Sequence, residues 1–273
     1  GLAYGTLAIG ALLSPLIVGV IADRFFATQR ILAFLHILGA GLLYALSTLQ
    51  EFGVFYLVLL SYTITYMAGH GLTNTLTLHH SKNPAKEFPL VMIMASVGWI
   101  AAGLAVSWLK LEDNPGMFYL ASGAALVMGL YSLTLPHTPP KGQGSPASLG
   151  TLLGLDALKL MRDRSFATFM VCSFLICVPL SFYFSWMNVF MNEMNIANAA
   201  AKMTLGQVSD VVFLLLLPAL LLRLGAKGIL MLGIGAWALR FGLFALFHQN
   251  PSALWMLFTG ILLHGICYDF IFV

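Results

Sequence analysis

Apolar residues run along this chain in blocks of about twenty, each closed by a charge, a proline or a glycine. A helix rises about 1.5 Å per residue, so roughly 20 mostly apolar residues cross a bilayer. Nine blocks of that kind are present: 2–22, 31–50, 54–78, 89–109, 116–136, 166–191, 203–222, 228–247 and 253–273. They use most of the chain and leave connections too short for an extramembrane domain. The pattern predicts an all-α membrane protein.

Composition narrows this further. Sixty per cent of the 273 residues are apolar and 8% are charged, against about 25% charged in soluble domains. Twenty Phe and five Trp exclude a disordered chain. The net charge is +3, and the basic residues stand singly between apolar blocks rather than in a patch, which argues against a nucleic-acid partner. Cys172, Cys177 and Cys267 are an odd number, all inside apolar blocks. They read as small buried apolar residues, without a disulfide framework or a metal-ligating pair. No cofactor or metal is expected.

Lys and Arg set the orientation, because cytoplasmic loops carry them in excess. With the loop at 23–30 cytoplasmic, the same side receives Arg24, Arg30, Lys82, Lys86, Lys141, Lys159, Arg162, Arg164, Arg223 and Lys227. The opposite side receives only Lys110 and Lys202. A missed or invented span would have scrambled that bias.

The connection 137–165 begins with Pro and Gly punctuation and ends in a short amphipathic stretch. There Leu152, Leu153, Leu155, Leu158 and Met161 give one apolar face. The expected division is a helix bundle over 1–136, a cytoplasmic linker over 137–165 and a second bundle over 166–273. Five blocks precede the linker and four follow. Gly1 opens and Val273 closes within apolar blocks, so the chain is expected to hold the second to tenth helices of a twelve-helix repeat architecture.

Gly19, Asp23 and Arg24 end the first block in a G-x-x-x-D-[RK] pattern. The pattern resembles the loop between the second and third helices of the major facilitator superfamily. Its position agrees with the absence of a first helix, and the resemblance gives these three residues a role in conformational change.

Ionisable side chains inside lipid are costly, about 2.5–3.5 kcal/mol for a carboxylate at mid-helix on insertion scales, so each is a functional candidate. Asp210, Arg240 and Asp269 lie well inside blocks, all after the linker. Gln207 and Asp210 share a helix face at i, i+3, and His264 and Tyr268 share one at i, i+4. Asp269 adjoins the second pair. Arg240 is placed to pair with Asp210 or Asp269, and the alternatives are snorkelling to the membrane edge or a structural ion pair. Ser181, Ser185, Asn188 and Asn192 form a weaker polar stripe. Before the linker, Tyr66, His70 and Asn74 share a face. Met92, Ser96 and Trp99 face one way on the fourth block, with Trp99 too deep for an interfacial belt. Together these predict a cavity between two bundles with an aromatic platform, an amide and acids on one wall. Such a cavity suits a neutral, planar, hydroxylated solute. A carboxyl that gains and loses a proton couples that solute to a proton gradient.

Four runs then carry a closer resemblance: Thr134-Leu-Pro-His-Thr-Pro139, Thr151-Leu-Leu-Gly-Leu-Asp-Ala157, Ala236-Trp-Ala-Leu-Arg-Phe241 and His264-Gly-Ile-Cys-Tyr-Asp-Phe270. They resemble the nucleoside:H+ symporters of the major facilitator superfamily, in order along the whole chain. The resemblance implies proton-coupled nucleoside uptake by alternating access, in a bacterial inner membrane, by a monomer. It implies nucleoside contacts at Gln207, Asp210, His264, Tyr268, Ser96 and Trp99, and proton coupling at Asp269 and Asp210. The chain departs from that family at Met92, where an Arg is usual, and at Ser181 and Phe184, where Gln and Asn face substrate in relatives. The alternatives left open are a carrier of another neutral solute, such as a sugar or a modified nucleoside, and a membrane sensor that moves nothing. No HExxH or paired-acid motif supports an enzyme.

Overall fold

The computed structural model describes residues 2–19, 22, 25–112, 114–140 and 155–273, the side chains at 19, 85–86 and 155–158 excepted. Every regular element among them is helical. In chain order these are α1 (Leu2–Ser14, continued by a π-helical turn Pro15–Gly19), α2 (Thr28–Leu46), α3 (Phe52–His80), α4 (Pro84–Trp108), α5 (Gly116–Ser132), α6 (Arg164–Glu193), α7 (Ala199–Gln249), α8 (Leu254–Leu262) and α9 (His264–Phe272). Six of the described helical stretches are long and apolar enough to cross a bilayer, and Leu2–Val18 and Gly116–Ser132 are shorter apolar helices. Their outward faces are Leu, Phe and Val, including Phe174, Leu175, Leu215 and Leu222. Such surfaces require lipid as solvent, and the chain is a multi-pass integral membrane protein.

The blocks 203–222 and 228–247 are two helices, the first and second parts of α7, that meet where Gly225 leaves helical geometry at φ 66° and ψ 167°, a conformation that glycine adopts at little steric cost. One expectation changes: the last block is divided at Leu263 into α8 and α9. Leu155–Arg162 forms a 3-10 helix. Of its predicted apolar face Met161 is exposed, while Leu152 and Leu153 lie outside the described residues.

The chain forms two compact units, residues 1–81 with 113–168 and residues 82–112 with 169–273. In the first unit, α2 packs on α3 and α5, and α1 packs on α3. Ile31, Leu32, Leu35, Ala68 and Leu72 form its core, at the three- and four-residue spacing of helix faces. Tyr62 stacks on Tyr66, and Tyr66 meets His70 edge-on, so the predicted stripe on α3 exists as one ring column. Glu51 caps α3 through Gly53 N–H and Val54 N–H at 2.8 and 2.7 Å, and these bonds hold its carboxyl below the usual range.

A buried clasp fastens the start of the linker to this unit. Thr28 N–H donates to Thr138 O at 2.9 Å, supplying one of the orphan donors at the α2 N-terminus. Thr138 N–H donates to Gln29 Oε1 at 3.0 Å. The Gln29 amide is thereby oriented, and its Nε2 donates to His137 Nδ1 at 2.9 Å. His80 Nε2 meets Thr138 Oγ1 at 2.8 Å. Replacing Gln29 with Ala leaves the Thr138 N–H buried and unpaired. The expected cost is about 1–3 kcal/mol, read as a fall in Tm by thermal melting in detergent, with an unchanged Tm contradicting the clasp.

In the second unit, α4, α8 and α9 pack on α7. The core gathers Tyr183, Met187 and Met191 of α6 with Trp237, Phe244 and Phe247 of α7 and with Leu257, Ile261 and Cys267 of the last span. The expectation of three buried cysteines holds only for Cys267. Cys172 and Cys177 face outward on α6, where lipid accepts an apolar thiol as readily as a core does.

Candidate functional site

The site forms where the first half of α7 crosses the last span. Gly265 makes the crossing possible. A Cβ there would stand 2.6 Å from Ser209 O and 2.9 Å from Asp210 N, both backbone atoms that cannot swing aside. Small residues at such crossings let membrane helices approach closely. Gly206 does the same one turn earlier, against the ring of His264. Ser209 Oγ donates to Leu262 O and accepts from Gly265 N–H, locking the two helices in register.

This packing buries both acids. Asp210 is 7% exposed and Asp269 1%. Ser96 of α4 donates to Asp210 Oδ2 at 2.9 Å. Oδ1 of Asp210 and both carboxyl oxygens of Asp269 are buried without a hydrogen-bond donor. The two carboxyl groups are close enough to interact electrostatically. A pair of acceptor-only groups has no bond to make until a proton is added. A proton added to this pair would supply the donor that it lacks.

An aromatic column stands beside the acids. His264 stacks on Tyr183 at 5.2 Å and on Tyr268 at 5.7 Å, and Tyr268 continues to Phe272 at 5.3 Å. Phe184 meets His264 and Tyr268 edge-on. His264 is 2% exposed, and its Nδ1 has no partner. Among the described residues, the buried side-chain polar atoms without a partner belong to Tyr183, Asp210, Arg240, His264 and Asp269. Native interiors satisfy nearly all such atoms, so a cluster of exceptions marks a place for a bound solute, water or proton.

The structure thus brings together Ser96, Asp210, His264, Tyr268 and Asp269. Gln207 is half-buried one turn before Asp210. Trp99 is not drawn into the cluster. It is 56% exposed, and α4 turns Ile93 and Ser96 inward instead. Gly19 closes the π-helical turn, while Asp23 and Arg24 lie outside the described residues. Ser185 and Asn188 are half-buried on α6, and Asn192 donates to Asn188 at 3.0 Å.

One expectation is corrected. Arg240 does not hydrogen-bond to either aspartate. It is fully buried, donates to the backbone carbonyls of Gly260 and Ile261, and lies 3.7 Å over the Tyr183 ring. Backbone carbonyls and a ring face meet its charge where the last span is interrupted. Sequence pattern also passes over Tyr183, which is 2% exposed with an unpartnered hydroxyl. It sits between two phenylalanines in a run that reads as ordinary apolar helix. Its three-residue spacing from Trp186 and four-residue spacing from Met187 signal a packed face, not a polar contact.

Residues 1–273 match the family described as Nucleoside H+ symporter. The chain is 39% identical to YegT of Escherichia coli K12 over 281 residues, covering all of this chain and 66% of YegT. It is 30% identical to the nucleoside permease NupG of Escherichia coli K12 over 284 residues, covering 99% of this chain and 68% of NupG. It therefore spans about two-thirds of the length of either relative. The crystal structure of a NupG mutant superimposes with a TM-score of 0.87 at 29% identity, over 99% of this chain and 71% of that one. A D-xylose-proton symporter shares the fold at 14% identity, with a TM-score of 0.65 over 97% of this chain and 68% of that one. The all-helical fold is that of the major facilitator superfamily, and the chain belongs to the nucleoside H+ symporter family.

Proposed function

We propose that this protein takes up nucleosides together with protons by alternating access. The observation that carries the reading is the buried carboxyl pair Asp210–Asp269, short of a donor and set beside a column of aromatic rings. Aromatic faces suit a nucleobase, and carboxyl, hydroxyl and amide groups suit ribose hydroxyls and base edges. In this reading Tyr268 and His264 stack on or border the base. Gln207, Asp210 and Ser96 hold polar edges. Asp269 carries the coupling proton, and Asp210 shares it. One charge moved through 100 mV supplies about 2.3 kcal/mol, enough for about fifty-fold accumulation.

Gly19, Asp23 and Arg24 act as the conformational loop. Residues 1–136 and 166–273 act as the two bundles, joined by the cytoplasmic linker 137–165. The protein works as a monomer in a bacterial inner membrane. Met92, in place of the Arg usual in the resembled family, favours one second reading, a carrier of a different neutral solute.

Counterflow in liposomes with labelled uridine, adenosine and lactose separates the two. Exchange of either nucleoside but not of lactose is expected. Lactose exchange alone overturns the assignment. Replacing Gln207 with Ala removes an amide partner of the bound solute worth about 1–3 kcal/mol, or roughly five- to 150-fold in nucleoside Kd. Calorimetry returning the parent affinity would show that Gln207 serves packing only.

A further inference from the structure

Arg240 is the one buried ion for which the transport reading finds no task. The backbone around it supplies one. Gly260, Ile261 and Leu262 are consecutive residues at the end of α8, and each carbonyl accepts from a side chain. Arg240 Nε donates to Gly260 O at 2.8 Å, Arg240 Nη2 to Ile261 O at 3.3 Å and Ser209 Oγ to Leu262 O. In an unbroken helix those carbonyls take the N–H groups of His264, Gly265 and Ile266. Here Gly265 N–H turns to Ser209 Oγ instead. Inside a bilayer no water is on hand to satisfy a freed carbonyl, so a broken span persists only where protein groups replace the lost bonds.

Arg240 is suited to that replacement. Its planar fork reaches two adjacent carbonyls at once, whereas a lysine offers a single compact charge. Its charge sits at the C-terminal end of α8, where the helix dipole favours a cation. The guanidinium is fixed over the rings of Tyr183 at 3.7 Å and Trp237 at 5.2 Å. Trp237 itself donates to Cys267 O at 2.8 Å, beyond the break. The second half of α7 therefore grips the last span on both sides of Leu263, and Ser209 of the first half holds it between.

We infer that Arg240 is a positioning residue: with Ser209 it stitches the interruption of the last span, and so fixes His264, Tyr268 and Asp269 against Asp210. The transport roles of those residues rest on the function proposed above, but the stitch does not.

The test uses Arg240→Lys and Arg240→Gln in the whole protein, with Cys172→Ser and Cys177→Ser leaving Cys267 as the sole thiol of residues 1–273. Two quantities are measured: labelling of Cys267 by N-ethylmaleimide, and uridine affinity across pH. Cys267 is buried in the parent and should resist labelling. Both Arg240 variants should expose it, and both should lose about ten-fold or more in affinity, with the pH midpoint of the remaining binding unmoved. A protected Cys267 in either variant overturns the stitch. So does an Arg240→Lys protein that matches the parent while Arg240→Gln shifts the pH midpoint, because charge alone would then be the role. Ser209→Ala keeps the arginine and frees one carbonyl. It should also raise Cys267 labelling, and it decides the matter if the arginine variants do not fold. A parent that binds no uridine counts against the nucleoside reading, and the labelling result still judges the stitch.

Discussion

Asp269→Asn should abolish uphill nucleoside uptake while exchange of labelled for unlabelled nucleoside continues. The asparagine keeps the size of the carboxyl and its capacity to hydrogen-bond, but it cannot take and release a proton. Asp269 is 1% exposed, and neither of its oxygens has a donor. Its hydrogen-bonding state therefore changes completely when a proton arrives. With the proton site removed, the driving force worth about 2.3 kcal/mol per charge at 100 mV no longer reaches the solute. Accumulation should fall from about fifty-fold to none. Exchange needs only binding and reorientation, and the amide can still donate to Asp210. Uptake assays with an imposed gradient, paired with counterflow, measure the two separately. Full accumulation by this variant would remove Asp269 from coupling.

Gly265→Ala is expected to be the most damaging single methyl in the second unit. The added carbon would meet Ser209 O at 2.6 Å and Asp210 N at 2.9 Å, contacts that force the helices apart. Overpacking a tight contact costs about 1–3 kcal/mol, occasionally more. Here the displacement also breaks the Ser209 bonds and draws Asp269 away from Asp210. Nucleoside binding and Tm should fall together, binding by about ten-fold or more. Gly235→Ala is the control, since nothing lies within 4 Å of where its methyl would stand, and it should melt at or above the parent temperature. Equal behaviour of the two variants would mean that the crossing is not tight.

The spans are legible in the sequence because hydrocarbon imposes a length and a composition on any crossing segment. Asp210 and Asp269 are legible because charge in lipid has few explanations. Ser96 follows from its place in a polar stripe. Other features depend on contacts that periodicity does not encode. Pattern alone points Arg240 toward an acid, but the partners of an arginine include backbone carbonyls, which no residue pattern records. Tyr183 escapes notice because an aromatic between apolar neighbours looks like any other packed ring. The interruption at Leu263 has no proline to announce it. Its determinants, Ser209 and Arg240, lie 54 and 23 positions earlier in the chain. The break within α7 is legible too, because Arg223 and Lys227 mark a membrane edge and Gly225 between them can leave helical geometry.

Trp99 shows the converse. A helix-face pattern groups it with Ser96, and its depth argues against an interfacial role. The face that α4 buries runs instead through Ile93 and Ser96. Positions three apart on a helix still differ by about 60° in direction, and that is enough to separate the two residues.

The central claim is that the carboxyl pair Asp210–Asp269 binds the proton that accompanies the solute. The most direct measurement is nucleoside-induced proton movement into liposomes carrying a trapped pH-sensitive dye, with no gradient imposed beforehand. The parent protein should acidify the lumen when uridine is added outside, and a protein carrying Asp210→Asn with Asp269→Asn should give no signal. Uridine-dependent acidification by the doubly substituted protein would contradict the account.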